Sequence, residues 1–514
     1  MFSRTNLYTG GSSSVGRALA SQAKGRGFEP RLPLPSGDEC KLVKLDSMVA
    51  ALLIVIVFFL GLLLVATEHL HHINRAAVSM FMGIVCWMIY IAHGSAFLVD
   101  EHPIEFLSYL SSHPAQSTSV REYIADTVFM HYARFAAEVV LYLLAVIYIV
   151  EVLRNNGCFD FLQEWLRTRS TRRYLWVLAS FTFLVSINLD NLITTCLMLS
   201  IMHPMIADGK QRLMFGSVIV VAANLGGAFT VIGDVSSLSL WTRGLVTPTT
   251  YTALLAPSCL AAFLTIVLLV QRSLPERLSL MQTRPPYRGD DTVLSRQSRL
   301  LLFLVGIGGL WFIPTFHRIT QLSPFVGALC VLALLWMVDE LCNRSLLASD
   351  RMVRRREPLA LQYAGHQQIL YFIGLVLALG AVTETGLLRS LLQWLTPGFN
   401  TDMYVVGAGA GLLSAVVGNI ATLLSGITVF TQDAASSLPQ FDILYAENGT
   451  FWPLLSYSTS LGGSLLCIGT LAGHALMRME GASLRWYVRH IAPKVLAGWL
   501  VGLGVFYLIH AVLS

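Results

Sequence analysis

The chain has 514 residues and a net charge of +5, yet only 13% of its residues are charged and 55% are hydrophobic. Soluble globular chains carry about 25% charged residues, so this composition excludes a soluble fold and predicts a membrane protein. The eight cysteines form no C-x-x-C pair, which argues against a disulfide framework or a cysteine metal site.

The first 47 residues contain no apolar run long enough to cross a membrane. Their Gly-Ser-Ser-Ser-Val-Gly-Arg-Ala stretch, which begins at residue 11, closely resembles the peptide obtained when a transfer-RNA gene is translated by mistake. We therefore expect residues 1–47 to be a spurious or disordered extension and Met48 to be the true start. A targeting presequence is the alternative, although such segments are poor in acidic residues and this one contains Glu29, Asp38 and Glu39.

About ten apolar runs follow, each long enough to cross a hydrocarbon core of about 30 Å. In chain order they cover residues 49–66, 77–99, 135–152, 214–232, 251–270, 300–316, 324–341, 369–387, 452–477 and 491–513. Two further apolar stretches, residues 175–203 and 403–430, are interrupted by polar residues near their middle. The sequence therefore predicts an all-α polytopic membrane protein with about ten transmembrane helices plus two re-entrant hairpins.

Two distant segments repeat one pattern. Ser, Asn and Thr recur in register, and each set is followed by an LGG-x4-IG motif, at residues 225–233 and 461–469. The matching polar residues are Ser186, Asn191 and Thr194 in the first copy and Ser414, Asn419 and Thr422 in the second. Glycines and polar residues inside apolar runs indicate discontinuous helices, whose free backbone groups line the binding sites of transporters.

The charges of the loops predict their sides of the membrane. Basic residues cluster around residues 154–173, 210–212, 272–299, 351–356 and 478–494, whereas residues 431–450 contain no Lys or Arg. Basic loops are favoured in the cytoplasm, so the first hairpin, with its tip at 188–191, enters from the cytoplasm. The second, with its tip at 418–419, enters from outside. The two repeats are thus expected to be inverted and to meet near the bilayer midplane.

These features divide the chain into five parts: the extension 1–47, N-terminal transmembrane helices with an external loop, a first transport repeat, a basic linker region with two helices, and a second transport repeat. The last four cover residues 48–133, 134–271, 272–366 and 367–514.

Asp190 and Asp234 lie at the predicted breaks of the first repeat. A carboxylate within a membrane helix costs about 2.5 to 3.5 kcal/mol and rarely persists without a partner or a role. Burial also favours the protonated carboxyl, so a proton and a cation can compete for it. We expect Na+ to bind at these two carboxylates, with further oxygen ligands from Asn191, Thr194, Asn224, Ser236, Ser237, Asn419 and Thr422.

Each candidate also has a purely structural interpretation. Asp190 and Asp234 could cap half-helices, and Asn191 and Asn419 could be turn residues in the left-handed conformation. Three residues outside the breaks, Glu151, Glu384 and His474, are candidates for a proton relay; interfacial carboxylates and a packing histidine are the alternatives.

The motifs of both repeats resemble those of NhaD-type sodium/proton antiporters. The matching runs are LDNLITT at 189–195, VIVVAANLGGAFTVIGDVSSLSLW at 218–241, GLLSAVVGN at 411–419, LGGSLLCIG at 461–469 and MRMEGASLRWYVRHI at 477–491. That family belongs to a superfamily that includes citrate and dicarboxylate carriers and the arsenite permease. The resemblance implies exchange of Na+ or Li+ for H+ across a bacterial inner membrane, with Asp190, Asn191 and Asp234 at matching positions.

The resemblance is incomplete in the second hairpin. Gly418 stands where the family has an aspartate, and Phe229-Thr230-Val231 replaces its Trp-Ser-Pro. Two other functions therefore remain open: an anion carrier of the same fold, for dicarboxylate, citrate or arsenite, and a non-transporting homologue whose site has degraded at Gly418. Uptake of each ion by vesicles discriminates between them.

The sequence contains no Walker loop, no G-x-S-x-G and no other motif that indicates an enzyme or a cofactor. We expect the lipid bilayer and small inorganic ions as partners and no nucleic acid, because the basic clusters are dispersed over separate loops. A homo-oligomer is a further partner that the sequence leaves open.

Overall fold

The computed structural model describes residues 37–71, 73–112, 118–275, 278, 294–343, 359–387, 402–431 and 444–513. All regular structure within these ranges is helical, which confirms the all-α class. The spurious or disordered extension falls mainly on residues 1–36, outside the described residues. Residues 37–47 belong to the first helix, so the boundary of the first helical element lies upstream of Met48.

Five helices of the described residues precede the long span that leads into the first repeat. They are α1 (Gly37–Ala66), α2 (Glu68–His71), α3 (Arg75–Ala92), α4 (Gly94–Glu101) and α5 (Pro103–Ser112). Helix α3 begins at the cap residue Asn74, whose side chain accepts a hydrogen bond from the amide of Ala76. At its other end, the predicted crossing 77–99 stops earlier than expected. The chain turns at His93 and continues as the short helix α4.

The first repeat contains most of a long helical span, which begins before it at Ser119, and a helix pair that forms a hairpin. Its elements are α6 (Ser119–Asn155, which includes a π-helical stretch at Ile124–Phe129), α7 (Asp160–Trp165), α8 (Thr171–Ser186), α9 (Asn191–Met202), α10 (Gly209–Phe229), α11 (Val235–Thr242) and α12 (Pro248–Gln271), with a 3-10 turn at His203–Met205. Helices α8 and α9 form the hairpin, and α10 and α11 are two halves separated by residues 230–234.

The linker region and the second repeat follow. Their helices are α13 (Arg296–Phe303, continued by a π-helical stretch at Leu304–Gly308), α14 (Ile313–Thr320), α15 (Pro324–Cys342), α16 (Leu359–Thr383), α17 (Met403–Val417), α18 (Asn419–Phe430), α19 (Phe451–Gly463), α20 (Leu471–Glu480), α21 (Leu484–His490) and α22 (Ala492–Leu513). Helices α17 and α18 form the second hairpin, and residues 464–470 separate α19 from α20.

Eight helices in the described part of the chain are long and apolar enough to cross a membrane, and the bent pair α13–α14 brings the number to nine. The predicted crossing at 452–477 is not among them because it is broken into α19 and α20. The chain is thus a polytopic membrane protein. The re-entrant course of the two hairpins and the sides from which they enter stay predictions.

The two repeats use the same contacts to hold each hairpin against its broken helix. Ser186 donates a hydrogen bond to the carbonyl of Ala223 at 2.7 Å, and Ser414 donates to the carbonyl of Thr459 at 2.6 Å. The first glycine of each LGG motif, at positions 226 and 462, lies so close to the hairpin backbone that a Cβ would come within 2.4 Å and 2.3 Å of a carbonyl oxygen. Only glycine allows these approaches.

Helix α16 packs against both hairpins. It packs along α3 and also contacts α6, α9 and α18, so one continuous helix lies against the second arm of each hairpin. This arrangement places the first half of α16 beside both hairpin tips.

Candidate functional site

Four half-helices begin in the buried centre of the protein. Their cap residues are Asp190 for α9, Asp234 for α11, Gly418 for α18 and Thr470 for α20. Each cap is either a hairpin tip or the end of a helix break. The N-terminus of a helix carries a partial positive charge, so the centre combines four such ends with the two carboxylates of the first repeat.

Asp190 caps its own half-helix. Its Oδ1 accepts hydrogen bonds from the amides of Leu192 and Ile193 at 3.0 Å and 3.4 Å. Its Oδ2 accepts a 2.7 Å hydrogen bond from the side chain of Gln368 on α16. The amide of Val235 also lies within hydrogen-bonding range of this carboxylate. The capping interpretation is therefore correct, but it accounts for only one of the two carboxylate oxygens.

Asp234 occupies the cap position of α11 without capping it. Its Oδ2 accepts a hydrogen bond from Asn419 of the other repeat at 3.2 Å. Its Oδ1 is buried and meets no donor at full hydrogen-bond geometry within the described residues, and the Ser236 hydroxyl and the amides of Val235 and Ser236 lie close to the carboxylate. Asp190 and Asp234 are close enough to interact electrostatically. The structure thus brings both predicted carboxylates together.

Asparagine side chains bridge the two repeats at this point. Asn191 donates to the amide oxygen of Asn224 at 2.9 Å, and Asn224 in turn donates to Ser464 at 2.7 Å and to Thr470 at 3.3 Å. Neither Asn191 nor Asn419 has a positive φ, so the interpretation of these residues as left-handed turn residues is wrong.

The remaining predicted ligands are buried in the same region, and their hydroxyls donate hydrogen bonds to backbone carbonyls. Thr194 donates to Leu189, Ser237 donates to Asp234, and Thr422 donates to Gly418. A hydroxyl that donates to a carbonyl still has lone pairs with which it can accept or bind a cation. These contacts leave the three residues compatible with the predicted role.

Known proteins resemble the chain over most of its length. A family model described as "Citrate transporter" matches residues 42–445. The chain belongs to this family of ion transporters. It is therefore a multi-pass membrane transporter, and the family resemblance inferred from its motifs is confirmed.

Several relatives of this chain are named as sodium/proton antiporters. Sodium/proton antiporter 2 of Arabidopsis thaliana is 26% identical over 457 residues, which cover 88% of this chain and 99% of the relative. Sodium/proton antiporter 1 of the same plant is 29% identical, and the match covers 75% of this chain and 64% of that longer relative. The Na+/H+ antiporter NhaD of Halomonas elongata is 25% identical over 508 residues, or 93% of this chain and 92% of the relative.

Glu384 lies outside the central site of the transporter. Its two carboxylate oxygens bond separately, to the hydroxyl of Tyr132 and to the imidazole of His102, each at 2.7 Å. These partners belong to α6 and to the segment between α4 and α5. Glu384 therefore ties two N-terminal elements to the end of α16, and its part in a proton relay stays a prediction.

His474 lies one turn beyond Thr470, on the side of α20 that faces the N-terminal helices. Its Nδ1 donates to the carbonyl of Thr470 at 3.0 Å, and its Nε2 faces the guanidinium of Arg75. Arg75 also binds Glu68 at 2.6 Å, and Glu68 binds Arg478 at 2.8 Å. His474 is thus part of an ion-pair network that joins α2, α3 and α20.

Glu151 is the last of the three candidates for a proton relay. It lies near the end of α6 and lines a groove of about 860 Å³ between α6 and α15, together with Trp336 and Asp339. Its position agrees with the interfacial interpretation, and its role in a proton relay also stays a prediction.

Three residues of the central network were not among the predicted ligands. Ser464 and Thr470 receive the hydrogen bonds of Asn224, and Gln368 binds Asp190. Thr470 aligns with Asp234 in the repeat, a correspondence that points to it. Gln368 lies outside both repeat motifs, so no sequence pattern indicates it.

Proposed function

We propose that the chain is a secondary active transporter that exchanges Na+ or Li+ for H+ across the cytoplasmic (inner) membrane of a bacterium. The observation that carries the proposal is the buried Oδ1 atom of Asp234, which makes no hydrogen bond of full geometry among the described residues. A buried carboxylate oxygen without a donor is unfavourable unless it binds a cation or a proton. Alternation between these two ligands is what an antiporter requires.

The surrounding oxygens suit an alkali cation. Asp190, Asp234 and the Ser236 hydroxyl beside Asp234 offer hard oxygen atoms, and the helix break at 230–234 frees backbone carbonyls beside them. The names of the relatives from Arabidopsis and Halomonas support the same exchange. The bacterial relative supports the inner membrane as the location.

An anion carrier is the second candidate. The description of the family model, "Citrate transporter", and the four half-helix N-termini in the centre support it. Two carboxylates at the same place oppose it, because they repel an anion unless both are protonated. A homologue without transport activity is the third possibility and predicts no flux for any ion.

The test uses proteoliposomes that contain the purified full chain and a pH-sensitive dye. Addition of Na+ or Li+ should move protons, whereas K+ and citrate should not. Asp234→Asn should abolish the Na+ response while the protein still folds, because an amide neither carries the charge nor exchanges the proton. Asp208→Asn is the matched control: Asp208 caps α10 outside the site, and asparagine caps equally well. A citrate response without a Na+ response would replace the cation proposal, and no response to any ion would identify a non-transporting homologue.

A further inference from the structure

Helix α19 and its C-terminal cap carry a row of buried serine side chains. Ser456, Ser460 and Ser464 are spaced four residues apart, so their side chains lie on one face of the helix. All three are buried. A buried hydroxyl is unfavourable unless it forms a hydrogen bond or binds an ion, so each member of this serine row needs a partner.

Both ends of the serine row contact residues of the first repeat. Ser464 accepts the hydrogen bond of Asn224 on α10 at 2.7 Å. Ser456 shares a 2.6 Å hydrogen bond with the hydroxyl of Tyr251 on α12, and this hydroxyl also lies close to that of Ser237 on α11. Helix α19 packs against both α10 and α11, the two halves of the broken helix. The row therefore faces the helix break of the first repeat, where two predicted cation ligands adjoin its ends.

Ser460 occupies the middle of the row, and its Oγ makes no hydrogen bond of full geometry within the described residues. It also holds the position of Asn224 in the repeat, because each of the two residues directly precedes an LGG motif, at 225–227 and 461–463. Asn224 reaches the second repeat, and its counterpart Ser460 faces the first. The second repeat thus directs a buried oxygen without a hydrogen-bond partner toward the predicted site.

We propose that Ser460 is a further ligand of the transported cation, supplied by the second repeat. A serine oxygen is neutral and hard, which suits Na+ or Li+. Its lone pairs can bind the ion while its proton is donated to a backbone carbonyl of the preceding helical turn. Gly418 and Thr470 stand where the first repeat has Asp190 and Asp234, so the second repeat binds the cation through neutral oxygens. This inference rests on the proposed cation/proton exchange.

The test compares Ser460→Ala and Ser460→Cys with the unmodified chain in proteoliposomes. Ser460→Ala removes the oxygen, whereas Ser460→Cys keeps a side chain of similar shape but offers sulfur, which is a poor ligand for a hard cation. Both variants should require about tenfold more Na+ for half-maximal proton movement. The maximal rate at saturating Na+ should stay within about twofold of that of the unmodified chain, because the lost interaction concerns binding of the ion.

A second readout requires no transport: the stabilisation of the purified protein by Na+ against heating. Without Na+, Ser460→Ala should be at least as stable as the unmodified chain, since removal of a buried hydroxyl without a partner does not destabilise a protein. The Na+ concentration that gives a fixed rise in melting temperature should increase about tenfold in both variants. A residue that acts in packing alone would change the melting temperature equally with and without Na+. If Ser460→Ala does not fold, Ser460→Cys decides the matter.

Ser458→Ala is the matched control. Ser458 lies on the same helix and is equally buried, and its Oγ also makes no hydrogen bond within the described residues. Two residues along a helix turn a side chain by about 200°, so Ser458 lies on the opposite face from the serine row. This variant should keep the Na+ dependence of both proton movement and melting temperature.

The outcomes separate this inference from the function on which it rests. If the unmodified chain exchanges Na+ for H+ but both Ser460 variants keep its Na+ dependence, or if Ser458→Ala weakens it equally, Ser460 is not a ligand and this inference is wrong. If neither Na+ nor Li+ stabilises the unmodified chain or moves protons through it, the proposed function is wrong and the inference falls with it.

Discussion

The residue at which the two hairpin tips differ most is Gly418. Its φ of 112° and ψ of 148° belong to a region that is essentially restricted to glycine, and other residues there cost about 1 to 3 kcal/mol. Space is not the obstacle, because the nearest atoms to a Cβ lie 3.8 Å away. Gly418→Ala should therefore lower the melting temperature through backbone strain alone, as measured by thermal unfolding of the detergent-purified protein.

Gly409→Ala provides the comparison for Gly418. Gly409 lies within helix α17 of the same hairpin, and a Cβ there meets no atom within 4 Å. Alanine in a helix is favoured over glycine by about 0.5 to 1 kcal/mol, so this variant should be at least as stable as the unmodified chain. Equal melting temperatures for the two variants would contradict the strain argument. A Gly418→Asp variant, which introduces the aspartate found in the family, must accordingly be compared with Gly418→Ala, which carries the strain without the charge.

At the residue scale, the sequence predicted the site residues that belong to the two repeat motifs. Asn191 and Asn419 were indicated because they recur at matching positions of the two repeats, and Asp190 and Asp234 because they are carboxylates at the breaks of the first repeat. The structure brings all four together. Gln368 was missed for a physical reason. Two polar residues, His366 and Gln367, directly precede it in α16, so the sequence does not single it out, and its contact with Asp190 depends on how α16 crosses the hairpin.

At the scale of elements, a polar cluster joins the short helices α4 and α5 to the end of α16. The hydrogen bond from His102 to Glu384 raises the pKa of His102 above its ordinary value of 6.5, against the opposing effect of burial. Because the folded pKa is higher than the unfolded one, the stabilisation is fully present below about pH 6.5 and is lost as the pH rises through the folded pKa.

Replacement of His102 by glutamine should remove this dependence on pH. The melting temperature of the unmodified protein should fall from mildly acidic to alkaline pH by more than that of His102→Gln, since the glutamine amide does not titrate. His93→Gln is the control, because the His93 ring contacts the carbonyl of Ile89 and not a carboxylate. The same pH dependence in His102→Gln and the unmodified chain would show that this ion pair contributes nothing to stability.

Element boundaries were predicted best where glycine or charge interrupts an apolar run. The break between α19 and α20 follows from Gly462-Gly463, whose close approach to α17 and to the break itself leaves no room for side chains. The turn at His93 was not predicted. Residues 94–99 are as apolar as the helix before them, so hydropathy alone cannot distinguish a continued crossing from a second short helix.

At the scale of the whole molecule, hydrogen bonds link the two repeats around the carboxylate pair. Asn419 of the second repeat binds Asp234 of the first, and Asn224 of the first binds Ser464 and Thr470 of the second. A site built across two repeats changes whenever the repeats move relative to each other. This coupling suits alternating access by rocking of inverted repeats, and it depends on the predicted inverted topology.

Labelling of single cysteines tests that topology directly. In a cysteine-free background that still transports, Arg167→Cys and Lys210→Cys flank the first hairpin, and Asp402→Cys and Thr431→Cys flank the second; all four positions are exposed. A membrane-impermeant maleimide should label the first pair only in inside-out vesicles and the second pair only in right-side-out vesicles, because basic loops remain in the cytoplasm. If the two members of either pair react from opposite sides, that stretch crosses the membrane instead of re-entering, and the repeats are not inverted hairpin units.

The control is a variant in which the buried Cys196 of α9 is the one cysteine kept. It should not be labelled from either side if labelling is confined to exposed loops.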